Sequence, residues 1–193
     1  MFKLSHSKWG SAVGLTSWTS RAKLWRLMTG REVEEDNPYM INGRENEHRA
    51  VAGVEAFMGW KFDHTGKDQK RSKTRRYGNF ESSAKPDGDY RGFGLEVKCP
   101  KNLKDEIRLN YQVQLCAQFD MCGFQAIYYS EWTPEEQRIW RVSRDGYLSI
   151  LNEVMPYLKY FSKCVITDTE PKRFSAKANP KPSFSPLTYE RVQ

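Results

Sequence analysis

The stretch from Phe80 to Pro100 constrains the fold of this 193-residue chain more than any other. It lies between two segments of helical period and reads as two short strands. Phe80, Ser82 and Ala84 share one face of the first strand, following the two-residue repeat of an extended chain. Lys85-Pro86-Asp87-Gly88 carries the residues of a tight turn. Gly92 and Gly94 break the next segment, and Leu95 to Cys99 is predicted to form a second strand that Pro100 ends. The whole chain then reads as helix, helix, strand cluster, helix, two strands, helix and tail, which places it in the α/β (α+β) class.

The flanking elements follow from caps and periodicity. A helix is predicted over 19–29, capped by Thr19 or Ser20 and closed by Gly30. A second spans 43–58, with Asn42 as N-cap, Glu45 at the capping-box position and Gly59 past its end. Residues 67–76 hold six basic residues and one acid and read as an exposed loop. Helical period returns over 108–122. Strands are expected over 124–130 and 137–142, joined through Thr133-Pro134. A last helix over 146–163 contains Pro156, which predicts a kink or break. Residues 1–170 are expected to form one domain. Residues 171–193, with four prolines and several Ser and Lys, are expected to form a basic, weakly ordered tail.

A net charge of +7 favours a polyanionic partner, chiefly nucleic acid. No apolar run approaches the ~20 residues needed to span a bilayer, so no membrane role is expected. The start of the chain lacks the long apolar core of a secretory signal. The cysteines, at 99, 116, 122 and 164, form no CxxC pair. A zinc site or disulfide framework is therefore not expected, and a cytoplasmic location fits.

Three polar positions interrupt apolar patterns. Glu47 sits within the helical stripe of Ala50, Val51, Val54 and Met58, where a carboxylate is costly unless a cation or metal meets it. The plainer reading is a stripe-edge glutamate favoured by the helix dipole. Glu96 and Lys98 point to one face of their strand, opposite Leu95 and Val97, and a hairpin would bring Asp87 beside Glu96. An exposed carboxylate–amine pair is the plainer alternative. Two converging carboxylates with a backbone carbonyl would suit Mg²⁺ or Mn²⁺, and a neighbouring lysine could orient or deprotonate a water. That chemistry is metal-assisted phosphodiester hydrolysis. Gln112 shares a helical face with Leu115, Cys116 and Phe119; it reads either as a bridge to water, phosphate or the lysine, or as a satisfied core residue.

Asp87 followed by Glu96-Val97-Lys98 is the PD-(D/E)xK pattern, and its context resembles the YqaJ-type viral recombinase family, the lambda exonuclease type. Gly94-Leu95-Glu96-Val97-Lys98-Cys99-Pro100 is similar to the family's central motif and Lys85-Pro86-Asp87-Gly88 to its acidic motif. Gly43 to Ala50 resembles its helical Gly/Glu/Ala motif, and Tyr111-Gln112-Val113-Gln114 its later Gln motif. Ser5 to Trp9 and Gly14 to Trp18 resemble its opening. The resemblance runs over roughly residues 5–142. It implies a restriction-endonuclease-like core, a mixed central sheet flanked by helices, and Mg²⁺-dependent DNA cleavage. Asp87, Glu96, the Val97 carbonyl and Glu47 would hold the metal, Lys98 would position or activate the water, and Gln112 would support the lysine or the phosphate. The expected partners are DNA, chiefly duplex ends, and a single-strand-annealing protein, with a trimer by analogy. Lambda-type members carry an arginine ahead of the Ser motif for the 5′-phosphate; no arginine stands there in this sequence, where Lys3, His6 or Lys8 are the available groups.

Phosphate contacts are expected from Lys67, Lys70, Arg71, Lys73, Arg75 and Arg76, and from Ser5, Ser7 and Lys8. Basic tail residues Lys172, Arg173, Lys177 and Lys181 suggest a flexible clamp or a partner-binding peptide. Trp18, Trp25 and Trp60 are expected in the core. The activity expected is exonucleolytic resection of duplex ends, 5′ to 3′. The alternative is a PD-(D/E)xK endonuclease on nicked, branched or single-stranded DNA. A DNA-binding protein on a decayed nuclease fold would have lost Asp87, Glu96 or Lys98, and all three are present. An iron–sulfur nuclease would need one N-terminal cysteine and three clustered after the core, which these positions do not supply.

Overall fold

The computed structural model describes residues 1–64, 72–175 and 180–193. Lys67, Lys70, Arg71 and Lys177 lie outside the described residues.

The hairpin around the acidic motif is the centre of the molecule. Strands β5 (Gly88–Tyr90) and β6 (Phe93–Lys98) pair antiparallel through a two-residue turn. Both turn residues, Arg91 (φ 48°) and Gly92 (φ 86°), take the left-handed conformation of a type I′ turn, whose twist matches that of the strands. Gly94 continues the strand rather than breaking it. A Cβ there would lie 2.6 Å from the Phe124 ring, so the glycine allows close packing of the next connection.

Beyond β6 the chain crosses through helix α4 (Leu109–Cys122) and returns as β7 (Ala126–Trp132), parallel to β6. Strand β8 (Gln137–Ser143) pairs antiparallel with β7. Two further strands complete a six-stranded mixed sheet: β2 (Asp63–His64) beyond β5, and β9 (Tyr189–Arg191) beyond β8.

Strand β9 corrects the expectation of a weakly ordered tail. Its pairing with β8 satisfies backbone groups at the sheet edge, and Leu187, 3% exposed, is buried in the core beside it. The reason is apolar spacing: Leu187 and Tyr189 punctuate the Pro/Ser-rich stretch and supply the anchoring that composition alone hid.

Helix α3 (Pro38–Met58) covers one face of this sheet. Ala50, Val51 and Val54 pack there with Leu95, Val97, Tyr128 and Ile139. The helix begins at Pro38, five residues before the predicted start. Asn37 is the N-cap, its Oδ1 accepting from Tyr39 N and Met40 N. Asn42 instead donates from Nδ2 to the Cys99 carbonyl at 2.9 Å and ties the helix to the end of β6. Gly59 closes the helix in the left-handed conformation, as predicted.

The opposite face is covered by α4 and by α5 (Tyr147–Ile166), which pack on each other. Helix α5 continues through Pro156 as one element, so the predicted break does not occur; Val154, Leu158 and Phe161 bury its inner face on both sides of the proline. Beneath α4 lies a second, three-stranded sheet that the sequence reading did not anticipate: β1 (Phe2–Ser5), β4 (Phe80–Ala84) and β3 (Lys73–Tyr77). The end of the basic run is therefore strand β3, not loop. A 3₁₀ turn (His6–Lys8) and short helix α1 (Trp9–Ala12) follow β1, and Trp9 Nε1 donates to Ser82 Oγ at 2.9 Å. Helix α2 (Arg21–Met28) starts at Ser20, whose Oγ accepts from Lys23 N, and packs on α5. Among the described residues, no helix is long and apolar enough to cross a membrane.

Candidate active site

Strand β6 sends Leu95 and Val97 toward α3, and Glu96 and Lys98 toward α4, as its two-residue repeat demands. The hairpin aligns Asp87 with this strand. Asp87 N donates to the Leu95 carbonyl at 3.0 Å, and Asp87 Oδ2 accepts from Val97 N at 2.7 Å. Glu96 is buried and ion-paired with Lys98. Asp87, Glu96 and Lys98 thus form one cluster, as the sequence reading expected of them.

Helix α4 supplies the lid of this cluster. Gln114 Nε2 donates to Glu96 Oε1 at 2.5 Å, and Gln118 Nε2 donates to Glu96 Oε2. The two glutamines sit four residues apart, on one helical face. His6 closes the group, its Nε2 lying 3.1 Å from Gln118 Nε2 and 3.4 Å from Gln114 Nε2. Amide nitrogens only donate, so the imidazole accepts and is neutral. Burial holds the His6 pKa down at about 4, with Glu96 pulling it up and Lys98 pushing it down. His6 is therefore a buried brace and not a surface group for a terminal phosphate.

Gln112 does not join the cluster. It is 2% exposed, donates from Nε2 to the Ile107 carbonyl at 2.7 Å and accepts at Oε1 from Leu187 N at 2.7 Å. The physical reason is rotation: two residues turn a helix by about 200°, so Gln112 and Gln114 point apart. Helix α4 is buried on nearly all sides, and the apolar stripe used to single out Gln112 does not discriminate there. The signal that sequence reasoning missed is the i, i+4 pair Gln114 and Gln118, set among the apolar residues Val113, Leu115, Cys116, Ala117 and Phe119.

Glu47 stands on the wall of an open cleft that also exposes Asp87, Val97 and Lys98. It is exposed, not embedded in the apolar stripe, so the predicted burial cost does not arise. Met40, Gly43, Arg44 and Glu47 follow helical spacing and turn that face of α3 to the cleft. The carboxylate buried in α3 is Glu55, which accepts from Phe62 N at 2.9 Å and pairs with Lys61 at 2.7 Å.

The cleft has a volume of about 1070 Å³. Lys8, Arg44, Lys101, Lys104 and Arg108 line it, as does Ser7. Lys8 is paired with Glu34 and Arg44 with Asp36 at the rim. Ser5 is exposed and shares a hydrogen bond with Ser7, but does not line the cleft. Lys73, Arg75 and Arg76 lie on β3, away from the cleft lining; Arg75 pairs with Asp120 at 2.8 Å, and Arg76 donates to the Gly78 carbonyl. Trp25 is buried as expected, whereas Trp18 is 53% exposed at the cleft.

The electrostatics of the floor are unbalanced. Burial raises the Asp87 carboxyl pKa well above its usual range; Glu96 and, more weakly, Glu47 raise it too, against Lys98 and the Val97 N–H. Burial, Glu47 and Asp87 push the neighbouring Cys99 thiol up to about 11. Burial would lower the Lys98 ammonium, but Glu96 and Asp87 outweigh it and hold it above its ordinary value. Asp87, Glu96 and Glu47 thus act on one another at the end of β6, with the Lys98 ammonium beside them.

Among the described residues, no three His, Cys, Asp or Glu side chains gather closely enough to enclose a metal. The Asp87–Glu96 pair fits an ion that keeps most of its water and takes one or two carboxylates plus phosphate oxygens, the habit of Mg²⁺.

No family model matches this sequence, and no curated protein matches it. Solved structures do. The chain is similar to the alkaline exonuclease LHK-Exo from Laribacter hongkongensis, at TM-score 0.66 and 18% identity, covering 86% of this chain and 89% of that one. It is similar to a phage-related exonuclease from Haemophilus somnus 129PT, at TM-score 0.60 and 13% identity over 86% and 96% of the two chains. A putative exonuclease from Eubacterium rectale matches at TM-score 0.56 and 15% identity over 90% and 91%. The fold is that of these nucleases, a restriction-endonuclease-like α/β core with a mixed sheet flanked by helices.

Proposed function

We propose that this chain is a divalent-metal-dependent deoxyribonuclease that degrades DNA from its ends. The observation that carries the reading is Asp87 and Lys98 on the floor of a cleft walled by basic side chains, with Glu96 buried behind them and paired with Lys98. The similarity to exonucleases, one of them crystallised with dAMP, supports it.

In this reading Asp87, Glu96 and the Val97 carbonyl would hold Mg²⁺, or Mn²⁺ in its place, and Glu47 on the wall would serve the ion or its water. The ion would polarise the scissile phosphate and lower the pKa of a bound water. Glu96 is fixed by Gln114 and Gln118, so its orientation is set before substrate arrives. Lys98, ion-paired with Glu96, would position or activate the attacking water. Its ammonium would neutralise charge developing on the phosphate. Lys101, Lys104 and Arg108 meet flanking phosphates and supply affinity without sequence preference. Resection runs 5′ to 3′ by the resemblance of the motifs.

A gel time course tests this, with Mg²⁺, a linear duplex labelled separately at each 5′ end and a supercoiled circle. Progressive loss from linear ends, an intact circle and an inert Glu96→Ala variant are expected; the order of label loss gives the direction. No cleavage with Mg²⁺ or Mn²⁺, or a fully active Glu96→Ala, would overturn the reading. Cutting of the circle would make the protein an endonuclease.

A further inference from the structure

His6 is a buried imidazole to which the nuclease reading gives no part in the reaction. It is 4% exposed, does not line the cleft, and sits in the 3₁₀ turn that leads from β1 into α1. That turn is pinned to β4 on both sides of it. Ser82 Oγ donates to the Leu4 carbonyl at 2.7 Å, and Trp9 Nε1 donates to the same Oγ. The imidazole is thereby held beneath α4, against the two amides that bind Glu96.

Hydrogen-bond accounting gives this ring a specific task. A primary amide nitrogen carries two hydrogens. On Gln118 one goes to Glu96 Oε2, and the other meets His6 Nε2 at 3.1 Å. Gln118 Oε1 is buried and has no partner among the described residues, so nothing on the oxygen side fixes which way this amide faces. Turned over, it would set its oxygen against the Glu96 carboxylate and the His6 lone pair, acceptor against acceptor. The Gln114 nitrogen is shared in the same way, between Glu96 Oε1 and His6 Nε2 at 3.4 Å. One lone pair thus faces both amides that hold the two oxygens of Glu96. Resting on the nuclease reading above, we infer that His6 is a positioning residue for DNA cleavage. It is a neutral imidazole, protonated at Nδ1, that turns the Gln114 and Gln118 amides nitrogen-first toward Glu96 and so sets that carboxylate for the metal. It acts through the glutamines and touches neither DNA nor ion.

Two measurements on the full chain test this. The first is ¹⁵N NMR of the imidazole in protein free of metal and DNA, at neutral pH, with His6 assigned by its loss in His6→Gln. The expected state has the proton on Nδ1 and a bare, hydrogen-bonded Nε2; a proton on Nε2, or a charged ring, would overturn the inference. The second is a Mg²⁺ titration of cleavage. His6→Leu removes the acceptor and should raise the Mg²⁺ concentration for half-maximal cleavage by about 2- to 12-fold, the equilibrium effect of one lost hydrogen bond. Its kcat should fall, while KM for DNA and DNA affinity in EDTA stay at the wild-type values. His6→Gln, which carries an acceptor oxygen at similar reach, should restore most of the loss. In a Gln118→Leu background His6→Leu should shift the Mg²⁺ midpoint much less than it does alone. A histidine that only packs would lower the melting temperature and leave the Mg²⁺ midpoint in place, and that result would overturn the inference, as would an undiminished shift in the Gln118→Leu background. The tautomer is read on the wild type, so the inference stays open to refutation even where His6→Leu fails to fold. A wild type that cleaves no DNA refutes the nuclease reading and the part given to His6 with it; the wrong tautomer in an active nuclease refutes the positioning alone.

Discussion

Glu96 is a buried carboxylate whose two oxygens are held by donors from α4, and Gln114→Leu measures what that holding is worth. The substitution keeps a helix-compatible side chain of similar size and removes the amide that donates to Glu96 Oε1 at 2.5 Å. A hydrogen bond to a charged group contributes about 1.5–3 kcal/mol. Lys98 still reaches the same oxygen, which favours the lower half of that range. At roughly 2–4 °C per kcal/mol for a domain of this size, the variant should melt about 3–8 °C lower in EDTA. The assay is thermal or urea unfolding of a double-mutant cycle with Glu96→Ala. Without the carboxylate the glutamine has no anion to serve, so Gln114→Leu should cost much less in that background, and the coupling should account for most of the single-variant loss. Cleavage should fall through kcat, because Glu96 is no longer held in position, with DNA affinity nearly unchanged. Equal costs with and without Glu96 would show that Gln114 acts through packing, and the orienting role given to α4 would be wrong.

Three other perturbations probe separate parts of the argument. Gly94→Ala places a methyl 2.6 Å from the Phe124 ring and should destabilise by about 1–3 kcal/mol in urea unfolding; a neutral effect would mean that the β6–Phe124 contact is loose. Leu187→Ala removes a buried side chain beside β9 and should cost about 2–5 kcal/mol, whereas a loss under about 1 kcal/mol would show that the C-terminal segment is not docked. Glu47→Gln should raise the Mg²⁺ concentration needed for half-maximal cleavage several-fold, and an unchanged metal titration would remove Glu47 from the metal's surroundings.

What the sequence disclosed was whatever depends on local geometry. The two-residue repeat placed Glu96 and Lys98 on one face, but the turn that sets Asp87 beside Val97 N is Arg91-Gly92, while Pro86-Asp87 only links β4 to β5. Caps were legible where a left-handed glycine or a serine stood alone, at Gly59 and Ser20. They misled at Asn42, because Asn37-Pro38 offers a second start and a long-range bond to Cys99 recruits Asn42 elsewhere. Glutamine roles were hidden because α4 is buried on nearly every side, so no periodicity separates the residues facing Glu96 from those facing Leu187. Trp18 was assigned to the core by type alone. Its exposure depends on the path of the loop before α2, which tertiary packing decides and pattern does not.

Strands β6 and β7 show why burial by itself does not mark a functional carboxylate. In their parallel register Glu96 faces Tyr129 and Lys98 faces Glu131. Glu131 is as deeply buried as Glu96, at 0% exposure. It accepts from Lys104 N at 2.9 Å and from Tyr129 OH at 3.0 Å, and neither it nor Glu96 lines the cleft. Its donors are neutral and fixed, so it anchors the connection from β6 to α4 and with it the wall that carries Lys104. Glu96 is also well bonded, but it sits beside Asp87 and Lys98, which open onto the cleft, with Glu47 on the cleft wall. In the proposed reading, the same residue type on adjacent strands is structural at Glu131 and would serve an ion at Glu96.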